Sequence, residues 1–136
     1  MASSHNLVAL VTVLALLLYL WMLMRVGGAR GRSGLQAPAV VGHPEFERHY
    51  RVQMNTLESL PLFLPSLWIF ALYWDGRIAA ALGLVWIIGR AIYMFAYVKE
   101  PKTRGVGFLT QGVATITLLL GALAGIVLDM VKAGVG

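Results

Sequence analysis

Apolar residues in this chain neither alternate nor form stripes; they gather in long blocks separated by short polar segments. Four such blocks cover residues 7–24, 57–74, 78–98 and 106–128. Each comes close to the roughly 20 mostly apolar residues a helix needs to cross the hydrocarbon core of a bilayer. Backbone N–H and C=O groups find no water at that depth, so a helix is the structure such a block must take. The pattern predicts an all-α integral membrane four-helix bundle. With their polar flanks included, the helices are expected at about 7–26, 44–74, 78–98 and 104–131, in a single domain over residues 1–136.

Local signals refine these boundaries. Pro44 suits the first position of a helix, and Glu45 and Glu47 complement its positive end, so the second helix should begin well before its apolar block. Pro61 and Pro65 fall inside it, where a membrane helix tolerates kinks. Lys99, Glu100, Pro101, Lys102 and Thr103 make a short polar turn before the fourth helix. There, Gly121 and Gly125 form a small-xxx-small pair that predicts close helix packing. The first block is expected to be retained rather than cleaved as a signal. Residues 1–6 carry no lysine or arginine, and the apolar run is longer than a signal h-region.

Composition and charge sharpen the class. The chain is 59% hydrophobic and 12% charged, about half the charged fraction of a soluble domain. Its formal charge of +5 is unevenly spread. Of eleven lysines and arginines, five lie between residues 25 and 51 and three between 99 and 104. The intervening 75–77 loop has only Arg77. The positive-inside rule then puts the first and third loops in the cytoplasm and both termini outside. Anchoring to anionic membrane lipid absorbs much of the positive excess, so no nucleic-acid partner is implied. Tyr73 and Trp74 suit the outer aromatic belt and Trp21 the inner one. Cysteine is absent, so any thiol chemistry must use a thiol brought in by a substrate. His5, His43 and His49 are too dispersed to argue for a metal, and none is expected.

Candidate chemistry resides in polar residues at membrane depth, which normally face a bundle interior or a water-filled cavity. Arg48, Arg51, Asn55 and Glu58 follow a 3-4-3 spacing along one face of the second helix. Arg90, Tyr93 and Tyr97 follow a 3-4 spacing on the third. Two polar stripes near the same membrane surface predict one shared cavity. The plainer alternative is an internal Glu58–Arg90 ion pair that merely locks the bundle. Because arginines outnumber acids across the set, a bound anion balances the charge better. Guanidinium forks suit carboxylates, the glutamate suits an ammonium, and Gln53 and Asn55 add amides.

The pattern Glu47-Arg48-x-x-Arg51-x-Gln53-x-Asn55-x-x-Glu58, followed by Pro61-Leu62-Phe63-Leu64, resembles the signature of the MAPEG family. These are the membrane-associated proteins in eicosanoid and glutathione metabolism. A second match, Gly89-Arg90-x-x-Tyr93-x-x-x-Tyr97, lies at the family's distance. The likeness is continuous from about Pro44 to Tyr97, extends more weakly over the first and fourth helices, and is strongest towards leukotriene C synthase and the microsomal glutathione transferases. It implies a homotrimer with glutathione, as co-substrate, bound between neighbouring subunits near the cytoplasmic surface. Arg51, Asn55, Glu58, Arg90, Tyr93 and Tyr97 fall on the family's glutathione-binding positions. Gln53 and Arg30 fall on positions that reach the ligand from an adjacent subunit. Arg104 matches the catalytic arginine that stabilises the glutathione thiolate. The implied activity is a detoxifying, membrane-bound glutathione transferase acting on lipophilic electrophiles, with glutathione-dependent peroxidase activity as a further capacity.

The chain departs from the leukotriene C synthase pattern at Ser59, where a tyrosine is usual, and at Gly31, where a second arginine is usual. Leukotriene specificity is therefore not expected to carry over. The family also includes a non-catalytic lipid-binding member, which is the alternative reading. Retention of Arg51, Gln53, Glu58 and Arg104 favours an enzyme.

Overall fold

The computed structural model describes residues 3–134. Its helices are α1 (Ser3–Ser33), α2 (Pro44–Tyr73), α3 (Gly76–Lys99) and α4 (Gly105–Lys132), with a 3-10 turn at Pro101–Thr103 before α4. All four helices are long and apolar enough to cross a membrane. Leu10, Leu17, Leu62, Ile88, Leu109 and Leu120 are exposed, while Phe63, Leu67, Trp86 and Leu118 fill the interior. A bundle as apolar outside as inside is what a hydrocarbon solvent selects. At its centre the Phe63 and Trp86 rings stack with centroids 4.0 Å apart and planes within 2°, which joins α2 to α3.

α1 is longer than its apolar block suggests, ending at Ser33 instead of near residue 26. Gly27 and Gly28 lower helix propensity but do not stop it. The stop is Gly34, whose φ of 72° lies in the left-handed region, and whose N–H reaches the Arg30 carbonyl at 3.1 Å. That is the usual way a glycine closes a helix. α2 starts at Pro44 and continues unbroken through Pro61 and Pro65. Asp75 caps α3 by accepting the Arg77 backbone N–H at 2.7 Å, and that bond holds its carboxyl below the ordinary carboxylate range.

Close helix contacts rest on glycine. A methyl group on Gly107 of α4 would run into the backbone of Tyr93 on α3 and meet the Gly89 carbonyl oxygen at 2.7 Å. One on Gly89 would meet the Gln111 nitrogen, also at 2.7 Å. α3 and α4 thus touch backbone to backbone near the end that bears the basic loops. At the other end, Gly121 and Gly125 accept the Phe70 ring and Tyr73–Trp74 of α2, and Trp74 Nε1 donates to the Gly121 carbonyl at 2.7 Å.

Candidate functional site

Where α2, α3 and the start of α4 converge, Arg51, Asn55, Glu58, Tyr93, Tyr97 and Arg104 line one cavity of about 380 Å³. That volume falls in the lower range of small-ligand pockets, roughly 300–1,000 Å³. Tyr50 and Met54 complete the lining. An adjoining cleft shares Tyr50, Arg51 and Tyr97 and extends over Glu47 and Arg48 towards the end of α1–α2 loop residues Val40 and Val41. Helical spacing explains the convergence on α2. Residues 51, 55 and 58 form a stripe, and 50 and 54 form the row beside it. Tyr93 and Tyr97 stand one turn apart on α3, their rings 5.6 Å apart. Arg104 caps α4 and is brought close to Tyr93 by the Gly107 contact three residues later.

Arg90 is set back from the cavity and is fully buried, at 0% exposure. Its Nη1 donates to Asn55 Oδ1 at 2.7 Å and its Nη2 donates to the Ser59 hydroxyl. Nε has no hydrogen-bond partner. Trp86, Tyr93 and Phe108 surround the guanidinium, with ring centroids between 5.1 and 5.9 Å away. Ring faces attract a cation without neutralising it. The Glu58–Arg90 ion pair considered as the plainer alternative does not form: the ion pairs among the described residues are Arg32–Glu45 and Arg77–Asp75. Glu58 is exposed and lines the cavity instead. A buried cation with no carboxylate behind it keeps the floor of the cavity positive, and its charge is weakly screened there.

Three other residues singled out in the sequence lie elsewhere. Arg48 belongs to the same helical stripe, yet its Nη1 donates to the carbonyls of Val98 and Lys99 at 3.2 and 3.3 Å. It closes the end of α3, where a cation complements the negative helix terminus. Gln53 is buried between α1 and α2 and donates to the Tyr19 hydroxyl at 2.6 Å. Arg30 lies over the Phe46 ring at 4.5 Å and donates to the Ala39 carbonyl at 2.9 Å. Neither lines the cavity of its own chain. Tyr50 and Met54 were not singled out, although their i, i+4 spacing beside Arg51 and Asn55 was a usable signal.

The walls present two guanidiniums, from Arg51 and Arg104, against the single carboxylate of Glu58. Arg51, Glu58 and Arg104 are exposed in the isolated chain. Arg104 Nη1 donates to its neighbour Pro101 O at 3.2 Å, a bond that engages one of five guanidinium N–H donors. The arrangement can hold a small zwitterion with excess negative charge.

The sequence model of the MAPEG family matches residues 8–124. The chain belongs to the MAPEG family. With its four apolar helices it is an integral, multi-pass membrane protein. Its relatives include an uncharacterized protein of Synechocystis, 48% identical over 118 residues, which cover 87% of this chain and 86% of that protein. Microsomal glutathione S-transferase 2 of Homo sapiens is 40% identical over 124 residues, 90% of this chain and 84% of its own length. Leukotriene C4 synthase of Cavia porcellus is 38% identical over 104 residues, 76% of this MAPEG chain and 69% of its own.

Proposed function

We propose that this MAPEG protein is a membrane-bound glutathione transferase that also reduces lipid hydroperoxides with glutathione. The observation that carries the proposal is the single cavity shared by Arg51, Asn55, Glu58, Tyr93, Tyr97 and Arg104. Glutathione has two carboxylates, one ammonium and a thiol. Arg51 and the charge of Arg90 behind Asn55 suit the carboxylates, and Glu58 suits the ammonium. Arg104 suits the thiolate, the nucleophilic form. In conjugation, the thiolate sulfur bonds to the electrophilic carbon as the leaving group departs. In the peroxidase reaction, two glutathione thiols give one disulfide while a hydroperoxide becomes an alcohol and water. The names of the transferase and synthase relatives support the transferase part of this reading.

A homotrimer is part of this proposal. The charged wall of Arg51, Glu58 and Arg104 is exposed in one chain, and charged groups at membrane depth are costly against lipid. A second subunit would cover that wall and could bring Arg30 and Gln53 to it. The site would face the cytoplasm, on the side of the basic loops.

The test is turnover by purified protein with glutathione and an aryl halide, repeated with cumene hydroperoxide. Product in the first is expected; its absence in both would leave a glutathione-binding protein without catalysis. Arg51→Ala and Glu58→Ala are each expected to weaken glutathione affinity by about tenfold or more, since each strands a charged partner in a partly desolvated site. Titration calorimetry in detergent measures this, and unchanged affinity in both would remove the pair from the binding site. Sidedness is tested by single cysteines in this cysteine-free background. Gln36→Cys and Arg77→Cys should react with an impermeant maleimide from opposite faces of sealed vesicles, Gln36→Cys from the cytoplasmic one.

A further inference from the structure

A second polar site lies on the α1 side of the bundle and shares no lining residue with the cavity described above. It is a cleft of about 340 Å³ lined by Trp21, Met24, Arg25, Gly28, Arg32 and His49. Five members are on α1, and four of them, at positions 21, 25, 28 and 32, share one helical face that runs from the apolar span into the basic loop, with Met24 in the row beside it. Arg25 is its centre. Its guanidinium lies 5.6 Å from the Trp21 ring centroid and 5.0 Å from that of Phe95 on α3. The two rings meet edge to face at 5.6 Å.

The hydrogen bonding of Arg25 is unsaturated. Nε donates to His49 Nδ1 at 3.5 Å, a long contact, and no other acceptor engages the guanidinium among the described residues. The ion pairs among those residues leave Arg25 without a carboxylate, whereas the neighbouring Arg32 pairs with Glu45 at 3.0 Å. The cleft therefore holds one uncompensated cation whose two Nη groups form a fork suited to two oxygens of one anion. Around it stand exposed apolar groups: Trp21, Met24 and Phe95. A soluble anion has no use for such a rim, but an acyl chain does.

We infer that the Arg25 cleft binds the headgroup phosphate of an anionic phospholipid, with the acyl chains lying against Trp21, Met24 and Phe95. Charge complementarity selects the anionic class. A choline headgroup would bring a further cation beside Arg25 and Arg32, whereas phosphatidylglycerol brings only its negative phosphodiester. Arg25 lies at the end of the apolar block, the level at which lipid phosphates are found.

Native mass spectrometry of the full-length protein, released from micelles with equal amounts of dioleoyl phosphatidylglycerol and dioleoyl phosphatidylcholine, tests it. Phosphatidylglycerol should be retained over phosphatidylcholine by about fivefold, the factor one basic residue contributes near an anionic surface. Arg25→Gln should bring the two lipids to parity, and Arg25→Lys should fall between, because it keeps the charge without the fork. Arg77→Gln, at the opposite end of the bundle, should leave the preference unchanged. Should Arg25→Gln fail to fold, Gly28→Asp gives the same answer with Arg25 intact. A Cβ at Gly28 meets only the tip of Arg32, at 3.3 Å, so the new carboxylate would neutralise the cleft from within and abolish the preference. Equal retention by the wild type, or a preference that survives Arg25→Gln or Gly28→Asp, overturns the inference. Displacement of phosphatidylglycerol by millimolar inorganic phosphate would identify a site for free phosphate and overturn it equally.

Discussion

Arg104→Ala should cut turnover near neutral pH by about ten- to a hundredfold while leaving glutathione binding nearly intact. A cysteine-type thiol has an ordinary pKa of roughly 8.5, and a neighbouring cation lowers it by favouring the thiolate. Each unit of lowering corresponds to about 1.4 kcal/mol of preferential stabilisation and about a tenfold larger thiolate fraction below the pKa. Removing the cation returns the thiol towards its ordinary value. The variant's rate should then climb as pH rises through that value, where the thiolate forms unaided, and approach the wild-type rate in the alkaline range. Arg104→Lys should retain part of the activity, since a point charge persists although the planar fork is lost. The ultraviolet absorbance of the bound thiolate, titrated in wild type and variant, separates this role from a loss of binding. Superimposable titrations would make Arg104 a surface anchor and leave activation of the thiol to Tyr93 or Arg30.

Gly107→Ala should be the most damaging single-methyl change in the bundle. The added carbon has no free volume: it would collide with the Tyr93 backbone and approach the Gly89 carbonyl oxygen at 2.7 Å. Backbone cannot rotate away as a side-chain tip can. Overpacking of this kind costs about 1–3 kcal/mol, occasionally more. Relief requires α4 to move away from α3, which carries Arg104 away from Tyr93 and Tyr97. Activity should fall further than stability alone explains. Gly112 in the same helix is the control, because a Cβ there meets nothing within 4 Å. Gly112→Ala should be neutral or stabilising, by up to about 1 kcal/mol, since alanine is the better helix former. Thermal unfolding in detergent compares the two. Equal melting temperatures for both variants would disprove a tight α3–α4 contact at Gly107.

The helices were legible from the sequence because a bilayer leaves so few alternatives. Their ends were less so. The extension of α1 to Ser33 depends on Gly34 adopting a left-handed conformation, and Gly27, Gly28 and Gly31 offered equally plausible stops. The cavity was largely readable from 3-4 spacing on α2 and α3, which fixes which residues share a face. Spacing does not say which partner a side chain finds. Arg48 lies on the same face as Arg51 but reaches the α3 carbonyls, one turn nearer the loop. Spacing also left a Glu58–Arg90 ion pair open as the plainer alternative, yet Asn55 and Ser59 reach the guanidinium instead. The serine at position 59 is small enough to stand directly beside Arg90. Arg104 could not be placed by periodicity at all, since it caps a helix beyond a turn. It reached the cavity through resemblance, and the glycine contact that positions it is a tertiary fact.

The Arg48 clamp bears on how the cavity could open. Its guanidinium bonds the last two carbonyls of α3 from α2, and Thr103 Oγ1 adds bonds to the Ala96 and Glu100 carbonyls at 3.1 and 2.7 Å. The end of α3, normally the first part of a helix to fray, is therefore tied down. α2 and α3, which supply most of the lining, are thereby joined at the loop end of the cavity. Arg104 is tethered only to Pro101, three residues before it. Arg51 and Glu58 make no ion pair among the described residues, so local freedom at the site lies in its three exposed charged side chains, which can adjust to a ligand against helix ends that are held in place.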